Sequence, residues 1–207
     1  MIHGGAAARP FTTHMNALDT ELYLRTATEI YLKRAVVGGA DRVFEINRNF
    51  RNEGMDSSHS PEFTALEAYE AYSDYNGMAD LTRDLIQQAA RDAFDLSEGE
   101  EIVRLADGTE YDLSGEWDRI DLYGSTSEAL GEEITVETPR ETLVKYAERV
   151  GLEVDDYAVS GKIVEDIFEE LVGSKLWAPT FVYDFPEDTS PLTRYHRSRP
   201  GLTEKWD

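Results

Sequence analysis

Val43-Phe44-Glu45-Ile46-Asn47-Arg48-Asn49-Phe50-Arg51-Asn52-Glu53-Gly54, with His59-Ser60-Pro61-Glu62-Phe63-Thr64 close behind, decides how this chain folds. Each run reads as a strand and the polar residues between them as a loop, so a hairpin pair is predicted over about 42–52 and 62–73. Side chains at i and i+2 share a strand face. Asn47, Asn49, Arg51 and Glu53 therefore lie together, with Phe44, Ile46 and Phe50 opposite. On the second strand Phe63, Ala65, Glu67 and Tyr69 share a face, and Leu66 and Ala68 take the other. Around the turn gather Arg51, Glu53, His59 and Phe63: a guanidinium, a carboxylate, an imidazole and an aromatic ring. Those are the parts needed to hold a nucleoside triphosphate. Because no G-x-x-x-x-G-K-[ST] occurs in the chain, the reading turns from a P-loop toward a site built on a sheet. Taken singly, each residue has a plainer reading: a surface ion pair, a core phenylalanine, an exposed histidine. The combination at this spacing outweighs them.

Working outward, Gly4-Gly5-Ala6-Ala7-Ala8-Arg9-Pro10-Phe11 reads as a loop whose small residues let backbone approach a ligand. A short strand is predicted at 21–27. A helix follows, capped by Thr28 or Thr26, with Glu29 in its first turn and Lys33 and Arg34 toward its end at Val37. Gly38-Gly39 is the stop. Over 77–95, Met78, Leu81, Leu85, Ala89 and Phe94 recur near helical spacing and predict an amphipathic helix packed on the sheet. Its other face, with Asp80, Arg83, Asp84, Gln87, Gln88 and Arg91, is expected to be plain solvent surface. Asp107-Gly108 marks a further hairpin. Helices are predicted near 139–150, opened by Pro139, and 161–173, and Phe181-Val182-Tyr183 reads as a strand running into the loop from Pro186 to Pro191. No internal repeat is visible. The pattern is α+β, with a mixed, mostly antiparallel sheet flanked by helices.

Composition bounds the chemistry. The 207 residues contain no cysteine, which excludes disulfides, a thiol nucleophile and Cys-ligated zinc. His3, His14, His59 and His196 have no metal-ligand spacing, so any metal is expected to be a hard ion held by carboxylates and phosphates. No apolar run approaches the roughly 18 residues of a membrane span, and the N-terminus lacks a signal peptide's apolar stretch; a cytoplasmic protein with no membrane partner is expected. Acidic residues number 42 against 20 basic, for a net charge of −22. Such a surface serves solubility; it also suits high salt, where acid-rich, lysine-poor surfaces tolerate screening.

The loop from Gly4 to Phe11, Tyr23-Leu24-Arg25, Glu29-Ile30-Tyr31-Leu32-Lys33-Arg34, Val43 through Gly54, His59 through Thr64, Glu67-Ala68-Tyr69 and Ser190-Pro191-Leu192 together resemble class II lysyl-tRNA synthetase. Phe50-Arg51-Asn52-Glu53 with its following strand looks like motif 2 of the class II enzymes. The resemblance implies ATP-dependent activation of lysine to lysyl-adenylate and transfer to tRNA(Lys), with ATP and Mg²⁺ required and a homodimer as the assembly. By the same resemblance Arg51 is the catalytic residue, bridging the L-lysine carboxylate and the α-phosphate. Phe63 would stack on adenine, Glu53 accept from its amino group, and His59 contact the terminal phosphates. Gly5 and Glu29 would hold the α-amino end, while Glu67 and Tyr69 face the side-chain ammonium.

Several parts of the family pattern have no counterpart here. Ser58 stands where many members carry a basic residue. The anticodon-binding barrel, the motif 1 helix of the dimer interface and motif 3 are absent. The chain stops at Glu204-Lys205-Trp206-Asp207, where the family continues into a strand bearing glutamates for Mg²⁺, so no metal ligand is expected within it. The expectation is a truncated catalytic domain: residues 1–75 as the lysine and ATP core with motif 2, 97–175 as an insertion and helical region, and 176–207 as a late strand and loop. Alone it is expected to form little or no adenylate. Two other readings stay open, a lysine ligase acting on a protein acceptor and a catalytically inactive remnant or binding module.

Overall fold

The computed structural model describes residues 8–56 and 59–207; Gly5 and Ser58 lie outside them. The chain divides into two compact units between Ser73 and Asp74.

In the first unit, β1 (Thr12–Met15) pairs antiparallel with β2 (Thr20–Tyr23). Thus the strand expected over 21–27 ends at Tyr23, and its partner lies in the segment just behind the glycine-rich loop. The backbone then crosses as a buried strap, Thr26-Ala27-Thr28, into α1 (Glu29–Val37). Thr28 is the N-cap by position, although its hydroxyl makes no capping bond, and Gly38 and Gly39 end the helix, the latter at φ 104°. β3 (Arg42–Phe50) and β4 (Glu62–Glu70) form the anticipated antiparallel hairpin, in register from Arg42 opposite Glu70 to Phe50 opposite Glu62. β4 stops three residues before the predicted end at 73. The helix packs against both strands. Covering falls on the polar face: Glu45, Asn47, Asn49, Phe63, Ala65, Glu67 and Tyr69 are half-buried or buried. Phe44 and Ile46, on the apolar face, stay 71% and 60% exposed.

The second unit opens with α2 (Tyr75–Phe94), whose N-cap Asp74 accepts from the amides of Asn76 and Gly77 at 3.0 and 3.1 Å. Its burial corrects the expected amphipathic face. Ala79 and Ala90 are buried, whereas Leu81, Leu85 and Phe94 are exposed. Of the expected solvent face, Asp84 and Gln88 are exposed, while Asp80, Arg83, Gln87 and Arg91 are half-buried. Gln87 Nε2 donates to the carbonyls of Leu113 (2.7 Å) and Gly115 (2.8 Å), Arg91 pairs with the buried Glu101, and Arg83 with Glu116. These partners flank the short hairpin β5 (Ile102–Arg104) and β6 (Glu110–Asp112), turned at Asp107-Gly108 as the dipeptide predicted. Glycine at φ 89° takes the left-handed position there.

The largest core belongs to α3 (Leu122–Leu130), α4 (Arg140–Arg149) and α5 (Ser160–Leu171) around β7 (Asp118–Asp121) and β8 (Thr180–Tyr183). Leu122, Leu143, Ile163, Val164, Ile167 and Val182 are buried in it. Helices α4 and α5 and strand β8 match the periodicity; α3 was not anticipated. The strands do not form one sheet. Among the described residues they make four two-stranded ladders, three antiparallel and one, β7–β8, parallel. The class stays α+β and mostly antiparallel, but in small separate pairs.

Candidate functional site

The strap and the hairpin make the site together. Phe50 N donates to Arg25 O at 2.8 Å, and Arg51 Nε reaches Thr26 O at a long 3.4 Å. At the other end Thr28 N donates to Glu67 Oε1 at 3.2 Å. The strap is thus tied to β3 through one end and to β4 through the other, which accounts for the covered polar face.

At the turn end, the Arg51 guanidinium lies 5.1 Å from the centre of the Phe63 ring, a cation–π arrangement on half-buried groups. The Arg51 amide is bound to Pro61 O (2.9 Å), which fixes where the side chain leaves the backbone. Beyond it, Asn52 N bonds Arg9 O at 2.8 Å, and Arg9, Asn52, Glu53 and Gly54 line an open cleft of about 580 Å³. Glu53 is exposed there. His59 sits at the far side of the loop, its Nδ1 2.9 Å from both carboxylate oxygens of Asp56, with its side chain 72% exposed. The imidazole is therefore oriented by a carboxylate and open to solvent, rather than packed against Phe63.

Four residues farther along β4, roughly 13 Å at strand rise, lies the acidic end. Glu67 Oε1 is held by Thr28 N and Oε2 by the Tyr69 hydroxyl at 3.0 Å. Burial, the bond to Glu67 and the negative charges of Glu67 and Glu29 push the Tyr69 phenol well above its ordinary pKa, so it stays a hydrogen-bond donor at neutral pH. Glu29, in the first turn of α1, pairs with Lys33 one helical turn on.

The ion-pair pattern on this face is informative. Glu45 is matched by Arg25 at 2.8 Å and Glu29 by Lys33. Among the described residues, Glu67 has only neutral donors and Arg51 has no carboxylate within ion-pair distance. An unmatched cation at one end of a half-buried face and an unmatched anion at the other suit a ligand that carries a carboxylate or phosphate and, some way along, an ammonium.

The sequence named Arg51, Phe63, Glu67 and Tyr69, and all four lie on the hairpin's covered face or at its turn. Glu53 and His59 lie outside that covered surface, around the loop, and Gly5 lies outside the described residues. The strap was missed as a structural part, as were Arg25 and the carboxamides of Asn47 and Asn49. The Asn47 carboxamide helps hold the Glu45 carboxyl below the usual range, yet neither its nitrogen nor its oxygen has a partner of ordinary hydrogen-bond geometry. Alternation alone put both asparagines on this face; the folded chain shows Asn49 buried and Asn47 half-buried. Among the described residues no three His, Asp or Glu side chains converge as a metal site.

The family model for class II tRNA synthetases (D, K and N) matches residues 1–207. The Lysine--tRNA ligase of Kineococcus radiotolerans is 59% identical over 207 residues, covering 100% of this chain and 41% of that protein. That of Mycolicibacterium gilvum is 61% identical over 206 residues, covering 99% and 40%. The Lysylphosphatidylglycerol biosynthesis bifunctional protein LysX of Nocardia farcinica is 49% identical over 211 residues, covering 100% of this chain and 18% of the relative. The chain spans about two fifths of the length of these two ligases.

Proposed function

The chain belongs to the class II tRNA synthetases of the D, K and N group, and from that membership we propose that it carries the part of a lysine–tRNA ligase that holds L-lysine against ATP. In the whole protein the lysine carboxylate attacks the α-phosphorus, pyrophosphate leaves, and the lysyl group then passes to tRNA(Lys). One observation carries the lysine assignment. Glu67 is a half-buried carboxylate aimed by two neutral donors and matched by no cation among the described residues.

Each side chain then has a physical task. Arg51, propped on Phe63 and with no carboxylate at ion-pair distance among the described residues, bridges the substrate carboxylate and the α-phosphate and spreads the charge that builds between them. Phe63 offers a face for adenine, Glu53 accepts from the adenine amino group across the open cleft, and His59, steadied by Asp56, meets the terminal phosphates. Glu29 takes the α-amino group, a task the family resemblance also gives to Gly5; Glu67 and Tyr69 take the side-chain ammonium. The enzyme supplies no covalent nucleophile, so alignment and charge stabilisation do the work. We read residues 1–75 as the lysine and ATP core, 97–175 as an insertion and helical region and 176–207 as a late strand and loop. On this reading they form part of a larger catalytic domain that works in the cytoplasm, as a homodimer and with Mg²⁺ on the nucleotide.

A relative named for lysylphosphatidylglycerol biosynthesis shares the same region. That favours lysine activation as the common step and leaves the final acceptor to the rest of each protein. The test is binding of L-lysine against norleucine, which keeps the chain length and lacks the ammonium, each titrated with ATP present.

A further inference from the structure

The acidic end of the site already holds an ammonium, and it belongs to the chain itself. Lys33 leaves α1 one turn after Glu29; its Nζ pairs with the Glu29 carboxylate and stands 5.7 Å from the centre of the Tyr69 ring. Tyr69 in turn donates to Glu67. A carboxylate and an aromatic face assigned to the substrate are thus engaged by a side chain with the same terminal group as the substrate. The contact is not locked. The Lys33 side chain is 51% exposed, and its four-carbon stem can carry the charge into water without moving the helix. Like charges also cannot share this corner comfortably: with Lys33 in place, Glu29 is neutralised, and a second ammonium at Glu67 meets a neighbouring cation.

We propose that Lys33 is a specificity-determining placeholder, a resident ammonium that keeps Glu29 and Tyr69 arranged for a primary amine and gives way when free lysine arrives. The inference rests on the lysine-site reading above and adds to it a cost: substrate must displace an internal competitor. It also gives the empty site a reason to hold its acidic groups in place, since a matched carboxylate does not turn away to solvent.

Lys33→Met keeps most of the stem and removes the charge. In the full chain with ATP present, this variant is expected to bind L-lysine more tightly than the parent, by roughly two- to fivefold, the range set by displacing a half-exposed ion pair. ATP alone should bind both proteins equally. A second measurement does not depend on the variant's stability. With carbon-labelled lysine side chains, the Lys33 signal in the unsubstituted protein should shift when free L-lysine is added and stay put with norleucine, with Lys33→Met serving only to identify it. Equal or weaker lysine binding by a folded Lys33→Met, or a Lys33 signal unmoved at saturating lysine, overturns the placeholder while leaving the lysine site standing. If neither protein binds lysine, the site reading falls and the placeholder falls with it.

Discussion

Glu67 spends one oxygen on the Thr28 amide and the other on the Tyr69 hydroxyl, and neither partner brings a charge. A carboxylate so placed keeps its negative charge available and cannot rotate to find a surface cation. Glutamine keeps the volume and one acceptor oxygen for the Thr28 amide, while its NH2 can donate to a Tyr69 hydroxyl turned to accept, so Glu67→Gln removes the charge and reverses one neutral bond. Calorimetry should show lysine binding weakened by about 2 kcal/mol, roughly thirtyfold, because a charge-assisted bond is lost. ATP binding should stay within a factor of two or so, the noise expected for a site this far along the strand. Equal loss of both ligands would mean that Glu67 supports the fold and not the ammonium. Individual residues were legible here because period-two alternation lists the occupants of a face without any coordinates. Their charge balance was not legible. Arg25 stands just before the strap and Lys33 in a helix, and only folding shows that these two match Glu45 and Glu29 while Glu67, among the described residues, has neutral donors alone.

At the scale of elements, the hairpin and α1 could be read because local signals agreed: alternation set the strands, and Gly38-Gly39 set the helix end. Helix α3 was hidden by its own composition. Gly124, Ser125, Thr126 and Ser127 are weak helix formers in isolation. In the folded chain the three hydroxyls bend back to carbonyls one turn earlier, at 2.7, 2.6 and 2.7 Å, and Asp121 caps the first turn through Gly124 N. Helix α2 misled for the opposite reason. Its leucines keep helical spacing, but its alanines permit the close approach and its long polar side chains bond backbone carbonyls. Helix α5 offers a direct test of such close approach. Gly161 donates its amide to Asp188 Oδ2 at 3.0 Å, and a Cβ there would stand 2.0 Å from Asp188 Oδ1 and 2.6 Å from Pro186 Cγ. Gly161→Ala should therefore lose about 1–3 kcal/mol by overpacking, read as a lower urea midpoint. An unchanged midpoint would show that the Pro186–Asp188 turn yields freely and contributes little to the second unit.

For the molecule as a whole, the dominant fact is a net charge of −22 on 207 residues. Self-repulsion on this scale weakens the compact state in dilute buffer, and salt relieves it as the screening length falls from about 10 Å at 0.1 M to about 3 Å at 1 M. The unfolding temperature should accordingly rise with KCl over that range; a flat or falling curve would leave the acidity as a matter of solubility alone. Against that net charge, Arg51 has no carboxylate within ion-pair distance among the described residues, and there the proposed site receives the substrate carboxylate and phosphate. On the proposed reading, the covered face of the hairpin recognises a primary ammonium at Glu67 and Tyr69. The most direct measurement is a calorimetric titration of the chain with L-lysine and, separately, with norleucine, each in the presence of ATP. Saturable binding of L-lysine and at least tenfold weaker binding of norleucine are expected, since norleucine would leave the carboxylate unpaired. Indistinguishable binding of the two amino acids, or none by either, would contradict that reading.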